Sequence, residues 1–544
     1  MKTIKTLFAS LAFLCLGLVP ISAMGQSLPH TFAANTAAKA SEVNANFTYL
    51  LERFGTRKTT VNCYSGESIT TALQNYNHIV ISGVCTENIS LDGETLPHRV
   101  VILEGSSSAS DGITASSSAS PVVDINYHVF VRVKNLTLKG GEKGLKVRRN
   151  GIALISNSIV ENNFGEGICA CGTSFMFSES NIIRNNSSSG IYATDNAEVN
   201  IKSNTISGHS GGSSITITQG AYALINSNTI TGSSGKTAVR ISRGSSATIK
   251  SNTIQSAYIG ISVQDSSHAF LKNNTVNSNS NSGLYVENNA SAILAEGNTF
   301  SYNSNYGISL WLGGSLNMWC DSQLTSATTI SDNTQGAINV NSGSTANLCN
   351  LSLSSPLKGI NTGLRAMLNL KNITITNSQD DGVNLWGAKG WIDNITITGS
   401  ANAGIRVNNG MLSIKNSTIS GSTKGGIESH QQSAIHLGGG VIIENNGHGI
   451  GLTNSTLFQY DNEATSYIRN NTNNEIDATM SSIGLNQVTV GGTSGNTEID
   501  LSQGSILRIE TGTTITGTIS CDGSLNTGKF IKDKITLNPT TSGC

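Results

Sequence analysis

Apolar and polar residues alternate along short stretches of the chain, and each stretch ends in a polar turn. The segments "AFLKNNTV" (269–276) and "LSIKNSTI" (412–419) alternate in this way, and shorter pieces such as "GISV" or "GIRV" stand in the same repeats. Alternation with a period of two is typical of β-strands, whose successive side chains point to opposite faces. The pattern therefore predicts two strand-like pieces in every repeat.

The pattern returns at a fixed interval. "SNTISG" (203–208) recurs as "SNTITG" (227–232) and "SNTIQS" (251–256). A small residue followed by an aliphatic one marks thirteen rungs, 22 to 24 residues apart except for one step of 30. The aliphatic members of this mark are Ile168, Ile191, Ile215, Val239, Ile261, Leu284, Ile308, Ile338, Ile360, Val383, Ile405, Ile427 and Ile450. A period of this length indicates a solenoid, and it is too short for strand-helix-strand crossovers.

We therefore expect an all-β chain folded as a right-handed parallel β-helix. Aliphatic side chains would stack inside it, and the recurrent asparagines would form a ladder from one rung to the next. The regular coils, of about 22–24 residues each, are expected over 96–499, with C-terminal coils and a cap over 500–544. The serine-rich run at 104–121 predicts a flexible loop that leaves an early coil.

A solenoid must cover the open edge of its first coil. In "ESITTALQNY", Ile69, Ala72, Leu73 and Tyr76 stand at helical spacing, which predicts a short N-terminal capping helix. The cap and the first coil are expected to occupy residues 61–95.

The N-terminus has the pattern of an export signal. Lys2 and Lys5 precede an apolar run, and small residues at 23–25 suit cleavage, so residues 1–25 are expected to be a signal peptide. The segment 26–60 shows no coil pattern and is expected to lie outside the solenoid. The protein would be secreted, periplasmic or extracellular, without a membrane span in the mature chain.

Composition narrows the classes of partner. Of the 544 residues, 12% are charged and 5% are aromatic, and the formal net charge is -1. Such a chain offers no strongly basic surface, so nucleic-acid binding is disfavoured.

The cysteines predict disulfides. Without Cys15 in the signal peptide, eight remain, an even number for an oxidising compartment. The predicted pairs are Cys63 with Cys85, Cys320 with Cys349, and Cys521 with Cys544. The middle pair is separated by one enlarged coil, and adjacent rungs lie roughly 4.8 Å apart, within reach of a disulfide.

Cys169 and Cys171 form a single CxC sequence. Three alternatives stay open for them: a strained disulfide, two reduced thiols, or a metal site. One CxC without further Cys or His spacing is a weak metal signal, so no metal site is predicted.

Counting from the aliphatic mark places charged residues on neighbouring rungs of one face. One outward column holds Asn384, Arg406 and Glu428, and the next but one holds Trp386, Asn408 and His430. Asp381 and His448 share a position in the turn, as do Asp380 and Lys424. In a chain with few charges this clustering is an enrichment, and rungs about 4.8 Å apart would follow a sugar chain. The alternative is that these positions are polar only because they face solvent.

Three tryptophans bear on sugar binding. Trp311 and Trp386 occupy the same position three rungs apart, roughly 14 Å, and exposed indoles stack on sugar rings. Together with His430 they are the candidate ligand-binding residues. Trp391, beside Ile392, is expected in the core.

The segment "NCYSGESITTALQNYNHIVISGVCTENISL" (62–91) resembles the cap and first coil of secreted bacterial right-handed β-helix proteins with the pectate-lyase-like fold. The resemblance extends over 61–544 and implies the fold but no particular activity, because the same fold carries lyases, hydrolases, epimerases, autotransporter passengers and phage tailspikes.

Two short motifs resemble those of polygalacturonases. "QDDG" (379–382) is similar to their paired aspartates, and "GHG" (447–449) is similar to their histidine motif. Here Asp380 and His448 are three coils apart, whereas those enzymes place the motifs about one coil apart, and no R-x-K motif follows the histidine. These departures put that activity in doubt, and the alternative is that "DDG" is a polar turn before the next strand.

Three functions remain open. The first is an exported protein that binds polysaccharide or a cell-surface glycan, or that serves as an adhesive or structural rod. The second is a polysaccharide lyase, hydrolase or epimerase with a site on the 380–448 face. Its candidate catalytic residues are Asp380, Asp381, Arg406, Lys424, Glu428 and His448. The third is a phage-tailspike-like trimer. No cofactor is evident, calcium is expected only for a lyase, and the oligomeric state is open.

Overall fold

The computed structural model describes residues 57–320, 327–354, 357–459, 464–492, 497–521, 529–532 and 540–542. The predicted signal peptide and residues 26–56 lie outside this part of the chain. The remainder of the expected N-terminal segment includes Lys58–Thr60, which begins the first strand, Lys58–Asn62. At the other end, the strand Thr497–Ser502 runs through the boundary expected at residue 500.

The protein is an all-β, right-handed parallel solenoid of about 20 turns, as predicted. A regular coil contains three strands, and each pairs in parallel with its counterparts in the neighbouring coils. We call the three resulting surfaces the A face, the B face and the C face, in the order in which the chain visits them after the aliphatic mark. The mark itself lies on the C face.

The strands of the A face are Lys58–Asn62, His78–Ser82, Val100–Gly105, Phe130–Lys134, Ile152–Ser156, Phe175–Glu179, Glu198–Lys202, Tyr222–Asn226, Ser246–Lys250, His268–Lys272, Ser291–Leu294, Ser315–Met318, Thr345–Ser354, Met367–Thr376, Lys389–Thr398, Met411–Lys415, Ala434–Leu437, Thr456–Phe458, Ser482–Leu485, Ile506–Ile509 and Lys529–Lys532. Three of these, each ten residues long, continue onto the B face.

The other strands of the B face are Val84–Thr86, Gly112–Thr114, Thr137–Lys139, Ile159–Glu161, Ile182–Arg184, Thr205–Ser207, Thr229–Thr231, Thr253–Gln255, Thr275–Asn277, Thr299–Ser301, Thr329–Ser331, Thr418–Ser420, Ile442–Glu444, Ser466–Arg469, Val488–Val490 and Thr514–Ile515. Those of the C face are Ile89–Asp92, Val123–Asn126, Leu145–Val147, Ile168–Cys171, Ile191–Thr194, Ile215–Ile217, Val239–Ile241, Ile261–Val263, Leu284–Glu287, Tyr306–Trp311, Gly336–Val340, Lys358–Thr362, Val383–Trp386, Ile405–Asn408, Gly425–His430, His448–Thr453, Ile476–Thr479, Thr497–Ser502, Thr518–Cys521 and Thr540–Ser542.

The prediction of two strand-like pieces per repeat was wrong, because a regular coil contains three strands. The stretch "AFLKNNTV" belongs to two strands, His268–Lys272 and Thr275–Asn277. Between them Asn273 has a φ of +55°, in the left-handed region, which turns the chain through a corner. Alternation of side chains continues on both sides of the corner, so the sequence pattern conceals it.

The core is the stack of aliphatic side chains inside the coils, as predicted. On the B-face strands, Ile206, Ile230, Ile254, Val276 and Phe300 are fully buried and follow one another in register. Each buried side chain of this size contributes about 1.5 to 3 kcal/mol relative to exposure, so the stack stabilises every coil through its neighbours.

The asparagine ladder is confirmed at the corner between the A and B faces. Each amide nitrogen donates to the carboxamide oxygen one rung further on. The bonds Asn204–Asn228, Asn228–Asn252 and Asn252–Asn274 measure 3.1, 3.0 and 3.0 Å. The same oxygens accept backbone N–H groups, so the ladder satisfies polar groups that the corner would otherwise bury without a partner.

The small residue of the mark is required by close packing. A Cβ at Gly260 would lie 2.4 Å from Cγ1 of Val276 and 2.7 Å from the carbonyl oxygen of Gly283 on the next rung. Glycine therefore lets successive coils approach each other at the start of the C-face strand.

A one-turn helix stands where the capping helix was predicted. Ser68 caps it, and the helix spans Ile69–Ala72. Ile69 and Leu73 are buried, whereas Tyr76 lies beyond the helix and is exposed. Its role as a cap stays a prediction. In the described part of the chain, no helix has the length and apolar character needed to cross a membrane.

The serine-rich run is not the flexible loop that its composition predicted. Gly112–Thr114 within it is a B-face strand. The buried carboxylate of Asp111 accepts hydrogen bonds from the backbone N–H of Gly83 (2.9 Å) and Ser106 (2.7 Å). Burial raises the pKa of Asp111, but these bonds and the Ser106 hydroxyl have the larger, opposite effect, and the resulting pKa is about 2. The hydrogen bonds of Asp111 thus hold in place a run that composition alone predicts to be flexible.

Two of the three predicted disulfides are present, Cys63–Cys85 and Cys320–Cys349, with Cα separations of 4.8 and 5.7 Å. The third prediction involves Cys544, which lies outside the described residues.

Replacing Asn252 with alanine should destabilise the central coils by on the order of 3 kcal/mol, because it removes the acceptor of the Asn228 N–H and the donor to the Ile225 carbonyl. Urea unfolding and hydrogen exchange of the Asn228 amide would measure the effect. Asn277→Ala is the matched control, since Asn277 is half-exposed and its side chain has no hydrogen bond among the described residues. Equal effects of both variants would contradict a stabilising ladder.

Candidate functional site

One outward column of the C face carries the predicted charged residues. The residue that follows the aliphatic mark in each C-face strand faces outward, and the register runs without interruption from strand to strand. The column contains Asn361, Asn384, Arg406, Glu428, Gly451, Asp477 and Asp500. The prediction that Asn384, Arg406 and Glu428 share a column is confirmed.

Asp477 and Asp500 were missed because the small-aliphatic mark fades after Ile450. The C face nevertheless continues, with Glu475 and Glu498 in place of the small residue. The repeated sequences "EIDA" and "EIDL" keep the aliphatic-x-aliphatic pattern and could have revealed both carboxylates.

Asp381 and Arg406 form a buried ion pair across adjacent rungs. Nε of Arg406 lies 3.1 Å from Oδ1 and 3.0 Å from Oδ2 of Asp381, which is only 2% exposed. Oδ1 also accepts the backbone N–H of Ala403. Burial lowers the pKa of Arg406, but Asp381 outweighs it and raises the pKa above its usual range. With both oxygens engaged, Asp381 is poorly placed to act as a base.

Glu428 lies one rung further on, between two histidines. Its Oε1 is 2.5 Å from Nε2 of His448, and its Oε2 is 3.5 Å from Nε2 of His430. Burial raises the pKa of Glu428, but the two histidines lower it to about 2. The close carboxylate of Glu428 raises the pKa of His448 despite burial. The pair is therefore carboxylate and imidazolium at mildly acid pH.

Two glycines make room for the Glu428–His448 pair. In register, Gly425 lies beside His448, and Gly451 lies beside Glu428. A Cβ on Gly451 would meet Nε2 of His448 at 2.8 Å and Oε2 of Glu428 at 2.9 Å, and a Cβ on Gly425 would meet the same pair at 2.7 Å. The pair thus lies diagonally across a square of two rungs whose other corners have no side chain.

The remaining candidates are less closely joined. Asp380 accepts a hydrogen bond from Asn402 at 2.9 Å and lies 3.5 Å from Nζ of Lys358. Lys424 is exposed in the turn, and its ammonium group makes no ion pair within the described chain. The structure therefore brings together Asp381, Arg406, Glu428, His430 and His448, and leaves Asp380 and Lys424 at the rim.

An apolar patch adjoins this cluster. Trp386 is 58% exposed at the end of its C-face strand, and Leu364 is exposed one rung before it. Trp311 is half-buried three rungs away, next to the exposed Leu312. The expectation that Trp391 belongs to the core was wrong. Its side chain is 37% exposed on the A face, because Gly390 and Ile392 take the inward positions.

Arg406 and Asn384 each retain an unsatisfied polar atom. Nη2 of Arg406 and Oδ1 of Asn384 are buried without a hydrogen-bond partner among the described residues, and the two residues are neighbours in register. A buried donor or acceptor left unpaired is costly, so this pair is suited to a ligand that offers both.

Asp477 and Asp500 extend the column beyond Gly451. Partial desolvation against the sheet and the nearby carboxylate of Asp500 raise the pKa of Asp477. Their rungs are roughly 4.8 Å apart, a separation at which two carboxylates influence each other's proton affinity.

Cys169 and Cys171 lie on a C-face strand further toward the N-terminus, and both are free cysteines. The hydrogen bond between them raises the pKa of Cys169 and lowers that of Cys171 to about 7. The structure therefore shows the reduced alternative.

Two family models match parts of the chain. "Right handed beta helix region" matches residues 209–347, and "Periplasmic copper-binding protein (NosD)" matches residues 71–255. Among the described residues, no three His, Cys, Asp or Glu side chains converge as a metal site would require, so the copper of that description is not transferred. No curated protein matches the sequence.

Three differently named proteins are among the solved structures that the chain matches. The catalytic unit of a GH87 α-1,3-glucanase from Streptomyces thermodiastaticus is 12% identical, with 84% of this chain and 69% of that chain covered and a TM-score of 0.26. The N-terminal fragment of gene product 12 of bacteriophage Phi29 is 11% identical, with 92% and 94% covered and a TM-score of 0.31.

A PL6 family alginate lyase, AlyGC, is 12% identical, with 89% and 99% covered and a TM-score of 0.28. At these identities and scores the likenesses carry no argument about activity. The family models and the strand pairings agree on a right-handed parallel β-helix with the pectate-lyase-like fold.

The Glu428–His448 pair should raise the pKa of His448 in solution, and Glu428→Gln should lower it toward or below its ordinary value of 6.5. NMR titration of the imidazole measures this directly. Glu287→Gln, several rungs away on the same face, is the control for long-range charge and should leave the titration unchanged.

The pair also has a stability signature. The pKa of His448 is raised on folding, so its contribution to the free energy of unfolding is complete below pH 6.5. That contribution is lost as the pH rises through the pKa of the folded state. The pKa of Glu428 is lowered on folding, so its contribution is lost as the pH falls from 4.5 toward 2. A stability difference between wild type and Glu428→Gln that does not peak between these limits would contradict the pair.

Gly451→Ala should displace the Glu428–His448 pair without unfolding the coil, since the added methyl meets only the ends of two side chains. The expected result is a fall in the pKa of His448 with a change of about 1 kcal/mol or less in stability. Gly484→Ala is the control, because a Cβ there meets no atom within 4 Å. An unchanged His448 titration would show that the glycine is not needed.

Proposed function

We propose that this right-handed parallel β-helix repeat protein binds a polysaccharide along its C face, between the rungs of Trp311 and Asp500. The observation that carries the proposal is the exposed Trp386 beside a column of polar side chains, with one residue on each rung. A sugar chain extended along the solenoid would stack on the indole and meet the polar column with successive hydroxyls.

The contacts of the column suit hydroxyl groups. Nη2 of Arg406 and Oδ1 of Asn384 are an unpaired donor and an unpaired acceptor on adjacent rungs. A sugar hydroxyl both donates and accepts, so one hydroxyl group could satisfy both atoms. The ion pair with Asp381 holds the guanidinium in place, which reduces the entropy lost on binding.

Charge favours a neutral glycan. On the C face of these rungs the acidic groups are Asp380, Asp381, Glu428, Asp477 and Asp500, besides the buried Glu475 and Glu498. The basic groups are Lys358, Arg406, Lys424 and His448, whose pKa is raised. Asp381 already neutralises Arg406, and Asp500 lies beside Asp477, whose charge is offset only in part by His448 on the adjoining rung. A polyanionic polymer would meet repulsion there.

The protein would act outside the cytoplasm. The two disulfides favour an oxidising compartment, and the N-terminal sequence has the pattern of an export signal. The mature protein is accordingly proposed to be secreted, periplasmic or extracellular.

A second candidate is a glycan-cleaving enzyme, favoured by Asp477 and Asp500. Paired carboxylates with one raised pKa divide acid and base roles in glycoside hydrolysis. The site would lie at the end of the column beyond Gly451, rather than at Asp380 and Asp381.

Affinity electrophoresis in gels containing neutral or acidic polysaccharides tests the proposal. We expect retention by a neutral polymer and a loss of about tenfold in affinity, ~1.4 kcal/mol, for Trp386→Ala. Trp391→Ala is the matched control, because it also removes an exposed tryptophan, but from the A face. Trp391 lies in the strand Lys389–Thr398, which directly follows the strand of Trp386. Equal retention of the two variants would contradict binding on the C face.

The same polymers are then assayed for new reducing ends and for unsaturated products. Product that disappears in both Asp477→Asn and Asp500→Asn would establish the second candidate. Retention without product leaves a binding protein.

A further inference from the structure

The outward column of the B face is nearly uniform over ten consecutive rungs. In register, one residue per rung, it consists of Thr205, Thr229, Thr253, Thr275, Thr299, Thr329, Ser352, Thr374, Thr396 and Thr418. Nine of these ten residues are threonine, and the tenth keeps the hydroxyl. No rung is skipped, even across the enlarged coil.

A second column runs parallel to the first, two residues further along each strand. It consists of Ser207, Thr231, Gln255, Asn277, Ser301, Ser331, Ser354, Thr376, Thr398 and Ser420. The two columns together contain no charged and no aromatic side chain. Ion pairs bracket them at both ends, Arg184–Glu161 at 2.7 Å and Arg469–Glu444 at 2.9 Å.

The hydroxyls of the first column are free to bind outside the protein. Seven of its ten residues are exposed, and within the described chain no hydrogen bond uses their side chains. The adjacent asparagine ladder, by contrast, has its polar atoms bonded from rung to rung. The polar groups of the buried ladder therefore bond to each other, whereas the threonine hydroxyls are available to bind a partner outside the protein.

Strand propensity does not account for this uniformity. The outward column of the A face belongs to the same coils and mixes Asn200, Leu224, Thr248, Phe270 and Ile293. A position that only had to suit a parallel sheet would accept the same variety, because β-branched, aromatic and aliphatic residues all fit there. The same residue type therefore recurs at the outward position of the B face, whereas the residue type varies at the corresponding position of the A face.

The array is periodic in two dimensions. Rungs repeat at about 4.8 Å, and residues two apart along a strand lie about 6.7 Å apart, so ten rungs span roughly 43 Å. Threonine is stiff about χ1, which holds each hydroxyl and methyl in a repeated position. The complementary partner is a neutral lattice of hydroxyl groups with short, fixed repeats in both directions.

We propose that the B face binds ice. The prism and basal surfaces of ice present water oxygens at repeats close to both spacings of the array. The methyl groups release poorly bonded water, while the hydroxyls join the lattice. A neutral surface suits this partner, because charged side chains would hold hydration water that does not fit the lattice. The proposal is independent of glycan binding, since the B and C faces share no outward side chain.

Ice-affinity partition of the purified mature protein tests the proposal, together with inhibition of ice recrystallisation. Wild type should be enriched in slowly grown ice, and Thr253→Tyr should reduce the enrichment on the order of tenfold or more, because one bulky side chain prevents simultaneous contact of neighbouring rungs. Thr248→Tyr is the matched control, on the A face of the same coil, and should partition like wild type.

Thr396→Tyr lies six rungs from Thr253 and one rung before the last array residue. It gives a second disruption should Thr253→Tyr fail to fold, as judged by circular dichroism and thermal unfolding. Exclusion of wild type from ice overturns the proposal. So does enrichment that both array variants share with Thr248→Tyr, or retention on crystalline cellulose or chitin through the B face without partition into ice.

Discussion

Everything in this protein depends on the register between successive coils. Parallel pairing places each residue directly beside its counterpart one rung away, so any residue type that repeats in the sequence becomes a column in space. Inside, the columns are aliphatic side chains and asparagine ladders, which bury apolar surface and satisfy the corner amides together. A slip of one residue would exchange the inward and outward sides of a strand, which is why the corners, with their left-handed residues and carboxamide bonds, are repeated so strictly.

The same register divides the outer surface into faces of different chemistry. The A face mixes apolar, aromatic and polar side chains, the B face is an uncharged hydroxyl array, and the C face carries the exposed tryptophan and the charged cluster. Because the interior is supplied by alternate residues, the outward columns are released from the demands of packing. One rigid scaffold can therefore present separate binding surfaces without extended loops.

The charged cluster of the C face departs from pure repetition. Its ion pairs run diagonally, from Asp381 to Arg406 and from Glu428 to His448, instead of along a column. Diagonal pairing needs room, and Gly425 and Gly451 provide it by leaving two corners of the square empty. The pairing shifts proton affinities in opposite directions for Glu428 and His448, so the local electrostatics follow from where side chains are missing as much as from where they stand.

The sequence by itself determined the fold, the rung spacing, two disulfides, the asparagine ladder and the shared column of Asn384, Arg406 and Glu428, because each of these follows from periodicity. The tertiary structure decided what periodicity cannot express. It split one alternating stretch into two faces at Asn273, moved Trp391 from the expected core to the surface, and ordered the serine-rich run through Asp111. In each case the deciding factor was a local contact, a left-handed turn, a buried carboxylate or an absent Cβ, that alternation along the chain does not record.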